Sequence, residues 1–158
     1  MNSGYGTSIN AEHLISLFSS CYNDMEGSQT VHLADDDEDD RMLIKDALEE
    51  ANPNLTVIEA EDGKELVENI KNSDDLSETV VLVDMNMPRM NGIEAVKEIR
   101  SEPELAELPT VMMSTSSNPE LKKKALAAGA NDFIVKPNTF SALLDITKSI
   151  VKRFLGRK

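Results

Sequence analysis

From Thr30 onward the chain alternates two hydropathy patterns. Short apolar or β-branched runs occupy positions 31–34, 56–60, 80–83, 110–113 and 132–135, and such runs, bounded by polar residues, read as strands. After each comes a segment whose apolar residues recur every three or four positions. These are Leu43, Ile44, Ala47, Leu48 and Ala51; Leu66, Val67 and Ile70; Ile93, Val96 and Ile99; Leu121, Ala125 and Leu126; and Leu143, Ile146, Ile150 and Phe154. That spacing predicts one buried stripe on each of five helices. Asn118-Pro119 reads as a helix start with proline at the first helical position, and Ala128-Gly129-Ala130 as a helix end.

Five strand–helix repeats predict an α/β fold. Each helix must cross over to the next strand, so the sheet is expected to be parallel and doubly wound, with helices on both faces. The unbroken Val80-Val81-Leu82-Val83 run suits a central strand buried on both sides. In such open sheets ligands bind beyond the carboxyl ends of the strands, which directs attention to the residues just after each apolar run.

The remaining composition narrows the class. At 158 residues the chain fits one domain of ordinary size, expected over 30–158, and no linker or repeat divides it. Residues 1–29 differ: Gly, Ser, Asn and Tyr surround one apolar patch, Leu14, Ile15, Leu17 and Phe18, and the segment reads as an N-terminal extension, either frayed and disordered or carrying a short docking helix. The 29 acidic residues outnumber the 16 basic ones, giving a net charge of −13 that disfavours nucleic acid and anionic membrane surfaces as partners. Aromatic residues are 4% with no Trp, too few for a base- or sugar-stacking platform. A single cysteine, Cys21, excludes an internal disulfide, and no Cys/His spacing suits structural zinc. With no basic residue before an apolar run at the N-terminus and no long apolar stretch, a cytoplasmic location is expected.

The strand ends carry the chemistry. Asp35-Asp36-Asp37 follow the first run, Asp84 the third, Ser114-Thr115 the fourth and Lys136-Pro137 the fifth. Carboxylates gathered at one edge repel one another unless a cation intervenes, and oxygen ligands without His or Cys favour Mg2+. Metal, lysine and hydroxyl together could neutralise a phosphoryl group while a carboxylate attacks it in line. Asp84, alone at the end of the central strand, is the best nucleophile, and the acidic triplet is better placed to hold the cation.

Residues 30–155 resemble the response-regulator receiver domains of two-component signalling, of the chemotaxis-regulator-like type. The resemblance rests on Val83-Asp84-Met85-Asn86-Met87-Pro88-Arg89-Met90-Asn91-Gly92, on Ala127-Ala128-Gly129-Ala130 and on Ile134-Val135-Lys136-Pro137. It implies a five-stranded, flavodoxin-like (βα)5 fold with Asp84 as phosphoacceptor. Asp35, Asp36 and Asp84, with the backbone carbonyl of Asn86, would hold Mg2+. Ser114 falls on the family's switch hydroxyl, Lys136 on its phosphate-binding lysine, Phe133 on its switch aromatic, and Lys136-Pro137 on a bond that is usually cis. Thr115 stands where a smaller residue is typical, which would narrow access to the phosphoryl group.

The expected function is that of a single-domain response regulator. It would accept a phosphoryl group from a sensor histidine kinase or a histidine phosphotransfer protein and signal to a protein partner, or to a second copy in a homodimer. The readout surface would be the helix from Pro119, the fifth strand and the helix beginning near Thr139. Its chemistry would be self-directed, so the chain is not expected to be an enzyme. The competing reading is a receiver-like interaction module whose phosphorylation is dispensable; a phosphatase of the dehalogenase type is disfavoured because Asn86 replaces its second Asp. Several residues have plainer readings. Asp39 and Asp40 read as a solvated helix start, His32 as a satisfied strand histidine, and Met85, Met87, Met90, Met112 and Met113 as packing residues. The acidic run also imitates a calcium loop, but Asp40 and Asp46 stand where such a loop has Gly and Glu.

Overall fold

The computed structural model describes residues 28–155; the 14–18 patch and Cys21 lie outside the described residues. Strands β1 (Thr30–Ala34), β2 (Thr56–Ala60), β3 (Thr79–Asp84), β4 (Thr110–Ser114) and β5 (Asp132–Val135) pair in parallel in the order β2-β1-β3-β4-β5. Between and after them run α1 (Glu38–Ala51), α2 (Gly63–Lys71), α3 (Gly92–Ser101), α4 (Pro119–Ala128) and α5 (Phe140–Ile150), which continues into a wider turn at Val151–Leu155. This is the expected doubly wound, flavodoxin-like sheet.

Strand alternation divides the core in two. On β3, Val80 and Leu82 point to the side covered by Ile44, Ala47 and Leu48 of α1 and Leu143 and Ile150 of α5. Val81 and Val83 point to the other side, beneath Leu66 and Ile70 of α2, Val96 and Ile99 of α3 and Ala125 of α4. All four β3 residues are fully buried, each worth about 1.5–3 kcal/mol of transfer free energy. The first polar side chain along so apolar a strand comes just past its last apolar position, which is where Asp84 stands.

Caps fix where the helices begin. The Asp37 carboxylate accepts from the backbone N–H groups of Asp39 and Asp40, starting α1 right after the acidic loop. Asn91 and Glu94 form a reciprocal capping box on α3. Asn118 caps α4 with Pro119 following, and Gly129 (φ 116°) ends it. Two residues depart from the expected stripes: Leu43 and Leu126 are 46% and 43% exposed. Each is the immediate neighbour of a buried residue, Ile44 and Ala125, and two adjacent positions about 100° apart on a helix cannot both face the sheet.

At the far end of the molecule the Arg100 guanidinium gathers four acceptors. It donates to the carbonyls of Gly129 (2.9 Å), Leu108 (2.8 Å) and Leu105 (3.4 Å) and to the Asn131 side chain (3.0 Å). The end of α3 is thereby joined to the end of α4 and to the start of β4. Among the described residues no helix is long and apolar enough to cross a membrane.

His32 corrects an expectation. It is fully buried in β1, and only Nε2 has a partner, the Ser73 hydroxyl at 3.4 Å; Nδ1 has none. The apolar environment lowers its pKa to about 4, because an imidazolium there would be unsolvated. Unfolded chains bind a proton at this side chain below about pH 6.5 and the folded state does not, so stability is lost as the pH falls from there towards 4. Comparing urea midpoints at pH 7 and pH 5 should show that His32→Val lacks about 2 kcal/mol of the acid destabilisation seen in the natural chain.

Candidate functional site

Two strand ends bring the acidic groups together, and a third supplies the lysine between them. Asp35 follows β1 with 1% exposure, its backbone N–H bonded to Ala60 and its carbonyl accepting from Arg41 at 2.7 Å. Its side chain accepts from the Asp37 N–H at 2.9 Å, so the loop turns around it. Asp84, 8% exposed, ends β3 one strand away. Carboxylate oxygens of Asp35, Asp36 and Asp84 lie within 4.8 Å of one another. From the end of β5, Lys136 reaches across to Asp35 (2.7 Å), Asp84 (3.1 Å) and Asp40 (3.1 Å).

The crowding sets the ionisation. Burial pushes Asp84 up to about 6, and the neighbouring charges of Asp35 and Asp36 add to this against the pull of Lys136. Burial likewise raises Asp35, opposed by its hydrogen bond from Lys136. Lys136 is also buried, which alone would favour loss of its proton, but the hydrogen bond and charge of Asp35 and the charge of Asp84 outweigh this and hold it protonated. Three hard oxygen donors short of compensating charge suit a divalent cation such as Mg2+. The donor set therefore fits the metal that the sequence pointed to.

The loop after β3, which carries the exposed Asn86, is clamped at both ends. Gly92 N–H bonds back to the Met85 carbonyl at 3.0 Å, and a Cβ at Gly92 would lie 2.5 Å from the Asp84 carbonyl, so only glycine allows this close approach. Gly63 N–H bonds to the Met90 carbonyl at 2.9 Å. Beside it the Arg89 guanidinium grips the carboxylate of Asp62, the buried N-cap of α2, with Nε at 2.7 Å. Arg89 has a φ of 63°, left-handed backbone that the clamp sustains.

Ser114, fully buried, is the last residue of β4, one position beyond the Asp84 partner Met113. Its hydroxyl accepts from the Ser116 N–H at 3.1 Å. Thr115 is exposed at the mouth. Phe133 pairs with Met112 and is 8% exposed, already packed inward in the core beneath α4. Met85, Met87, Met112 and Met113 are buried as packing residues. The expected cis bond is absent: among the described residues every peptide is trans, Lys136–Pro137 included. The trans preference before proline is small but favourable, and Lys136 N–H still extends the ladder to the Ser114 carbonyl at 2.7 Å while its amine reaches the carboxylates.

Residues 31–148 match the response regulator receiver domain family. The chain belongs to that family. It is similar to the chemotaxis protein CheY homolog of Campylobacter jejuni, 34% identical over 119 residues (75% of this chain and 89% of that protein). It is also similar to chemotaxis protein CheY1 of Helicobacter pylori, 37% identical over 107 residues (68% and 84%). Among solved structures, the phosphorylated cyanobacterial phytochrome response regulator RcpA superposes with a TM-score of 0.71 at 28% identity, over 82% of this chain and 95% of that one. The Mn2+-bound response regulator Rcp1 superposes with a TM-score of 0.69 at 21% identity (82% and 96%), a likeness of fold.

In this receiver, two features of the site were not legible as such in the sequence. Asp40 was expected to be a solvated helix residue, yet its carboxylate sits on Lys136. The available signal was geometric: three positions after the N-cap Asp37, the first turn of α1 returns to the loop it left. The Asp62–Arg89 clamp joins residues 27 apart, and nothing local announces it.

The raised Asp84 carries a stability consequence. Between about pH 3.8 and pH 6 the folded receiver binds a proton at Asp84 that the unfolded chain does not, so this group favours folding as the pH falls through that window and opposes it above. In EDTA at pH 7.5, Asp84→Asn should therefore be more stable than the natural chain by about 2–3 kcal/mol, the pull of Lys136 being already part of that shift. Thermal melts repeated at pH 4.5 should show most of that advantage gone.

Proposed function

We propose that this receiver takes a phosphoryl group from a phosphohistidine of a sensor histidine kinase or a histidine phosphotransfer protein onto Asp84, in a Mg2+-dependent reaction in the cytoplasm, and signals the change to a protein partner. The convergence of Asp35, Asp36 and Asp84 with Lys136 is the observation that carries this reading. One Asp84 oxygen attacks phosphorus in line, the O–P bond forms, and the P–N bond breaks with its electron pair leaving on the imidazole. Lys136 turns one N–H to a phosphoryl oxygen and remains charged throughout. A divalent cation held by Asp35, Asp36, Asp84 and the Asn86 carbonyl would neutralise the charge on the phosphoryl oxygens. The product is a phosphorylated form of the chain itself, so the receiver acts as a switch and not as an enzyme on external substrates.

The donor side is supported by exposed apolar residues on the two helices flanking Lys136: Met42 and Leu43 on α1 and Phe140 at the start of α5 are 53%, 46% and 40% exposed, and Leu43 lines a small groove with Asp40, Lys136 and Pro137. The readout side is α4, β5 and α5, where Leu126 and Val135 are exposed and α4 carries Lys122, Lys123 and Lys124, a basic run on an acidic protein. Phosphorylation adds one to two negative charges and strong acceptors beside Ser114. The Ser114 hydroxyl can donate to one of them, drawing the 115–118 loop inward. Phe133 already fills its inward place, so the displaced element is the loop and the N-terminus of α4.

Incubation with phosphoramidate and Mg2+ should place acid-labile phosphate on the natural chain and none on Asp84→Asn, with EDTA stopping the reaction; label persisting in Asp84→Asn would move the site. A chain that bound its partner equally in both forms would instead be an interaction module. One charge-assisted hydrogen bond is worth about 1.5–3 kcal/mol, a roughly ten- to hundredfold shift in population. Ser114→Ala should accordingly still accept phosphate but lose the phosphorylation-dependent NMR shifts of residues 116–124; unchanged shifts would rule this coupling out.

A further inference from the structure

Lys136 has three amine hydrogens and three carboxylate partners, but the three are not equivalent. Asp35 and Asp84 belong to the trio whose oxygens converge within 4.8 Å, whereas Asp40 stands outside it, in the first turn of α1. We propose that Asp40 is a positioning residue for Lys136, a separate seat that keeps the ammonium in the pocket when Asp35 and Asp84 are engaged elsewhere. This inference rests on the proposed phosphoryl transfer to Asp84.

The argument follows the three acceptors through the step. When an Asp84 oxygen bonds to phosphorus, that carboxylate loses its charge and much of its hold on Lys136. A divalent cation on the acidic trio draws on the Asp35 carboxylate and repels the ammonium. Lys136 would then lose two of its three anchors at the moment its charge is needed, and its four-carbon stem is flexible enough to swing away. Asp40 is untouched by either event. Its backbone N–H is held by the Asp37 carboxylate at 3.1 Å, and the next residue, Arg41, ties α1 to the Asp35 carbonyl (2.7 Å) and to Glu59 on β2 (3.0 Å). The seat therefore keeps its place relative to the strand ends, leaving one amine hydrogen free to follow the phosphoryl oxygen. Were Asp40 merely one more negative charge at the mouth, removing it would ease the approach of anionic donors and speed the reaction, so the sign of the effect separates the two roles.

The test is a double-mutant cycle on full-length protein with phosphoramidate and saturating Mg2+, comparing the natural chain, Asp40→Asn, Lys136→Ala and the double variant. Asp40→Asn should slow incorporation about three- to tenfold in the natural background and have almost no effect once Lys136 is gone. Urea midpoints measured in MgCl2 without any phosphodonor should be non-additive for the same pair. Faster incorporation by Asp40→Asn, the same slowing in both backgrounds, or additive midpoints would overturn the role of Asp40. A natural chain that takes up no phosphate would overturn the transfer reading and this role together.

Discussion

Asp35 and Asp84 end neighbouring strands with carboxylates almost withdrawn from water, and the ammonium of Lys136 is what allows both to stay there. Without a compensating charge, two buried carboxylates this close would not both ionise. Lys136 comes from the opposite half of the sheet, so its contacts also join β5 to β1 and β3 across the strand ends. A site held by charge in this way keeps a residual imbalance, three carboxylate partners against one ammonium, and that imbalance is what a divalent cation would satisfy. Phosphoryl transfer onto Asp84 would redistribute the same small set of charges, which is how a local reaction could reach the loops that carry them.

The scaffold makes this charge set adjustable without endangering the fold. Beneath the strand ends, both faces of β3 are sealed by aliphatic side chains, and the helices covering them start at caps that use their own polar residues. The loop after β3 is fastened by Gly92, Gly63 and the Arg89–Asp62 pair, whereas among the described residues the 115–118 loop after β4 is held by the bond from Ser116 N–H to the Ser114 hydroxyl and the bond from Asn118 N–H to the Ser116 hydroxyl. One side of the pocket is stiff and the other is lightly held. A rearrangement driven by phosphorylation has an obvious path of least resistance.

Much of this was legible in the sequence because the fold is built from local signals. Strand runs, helical spacing, Asn118-Pro119 and Gly129 gave the element order, and the strand-end rule then placed Asp35, Asp36, Asp84, Ser114 and Lys136 on one edge. What was not legible depended on side chains meeting across the chain. Leu43 and Leu126 belong to apolar stripes, yet only the tertiary packing decides which of two adjacent residues turns inward. His32 lies in a strand as expected, but its unpartnered Nδ1 follows from the apolar cover that α2 provides. Asp40 looked like its acidic neighbours until the first turn of α1 brought it under Lys136. The Lys136–Pro137 bond was inferred through resemblance alone, and there the resemblance did not hold.

The four acceptors on Arg100 give α4 an asymmetry of mechanics. Its C-terminal end is riveted, through Gly129 and Asn131, to the end of α3 and the start of β4, at the edge of the sheet away from the carboxylates. Its N-terminal end hangs from the lightly held loop and is pinned chiefly by the Asn118 cap. A helix fixed at one end and tugged at the other cannot slide; it pivots. Displacements of an ångström or so at Asn118 would therefore appear as a tilt of the whole rod, sweeping Lys122 and Lys123 through an arc while Ala128 stays nearly still.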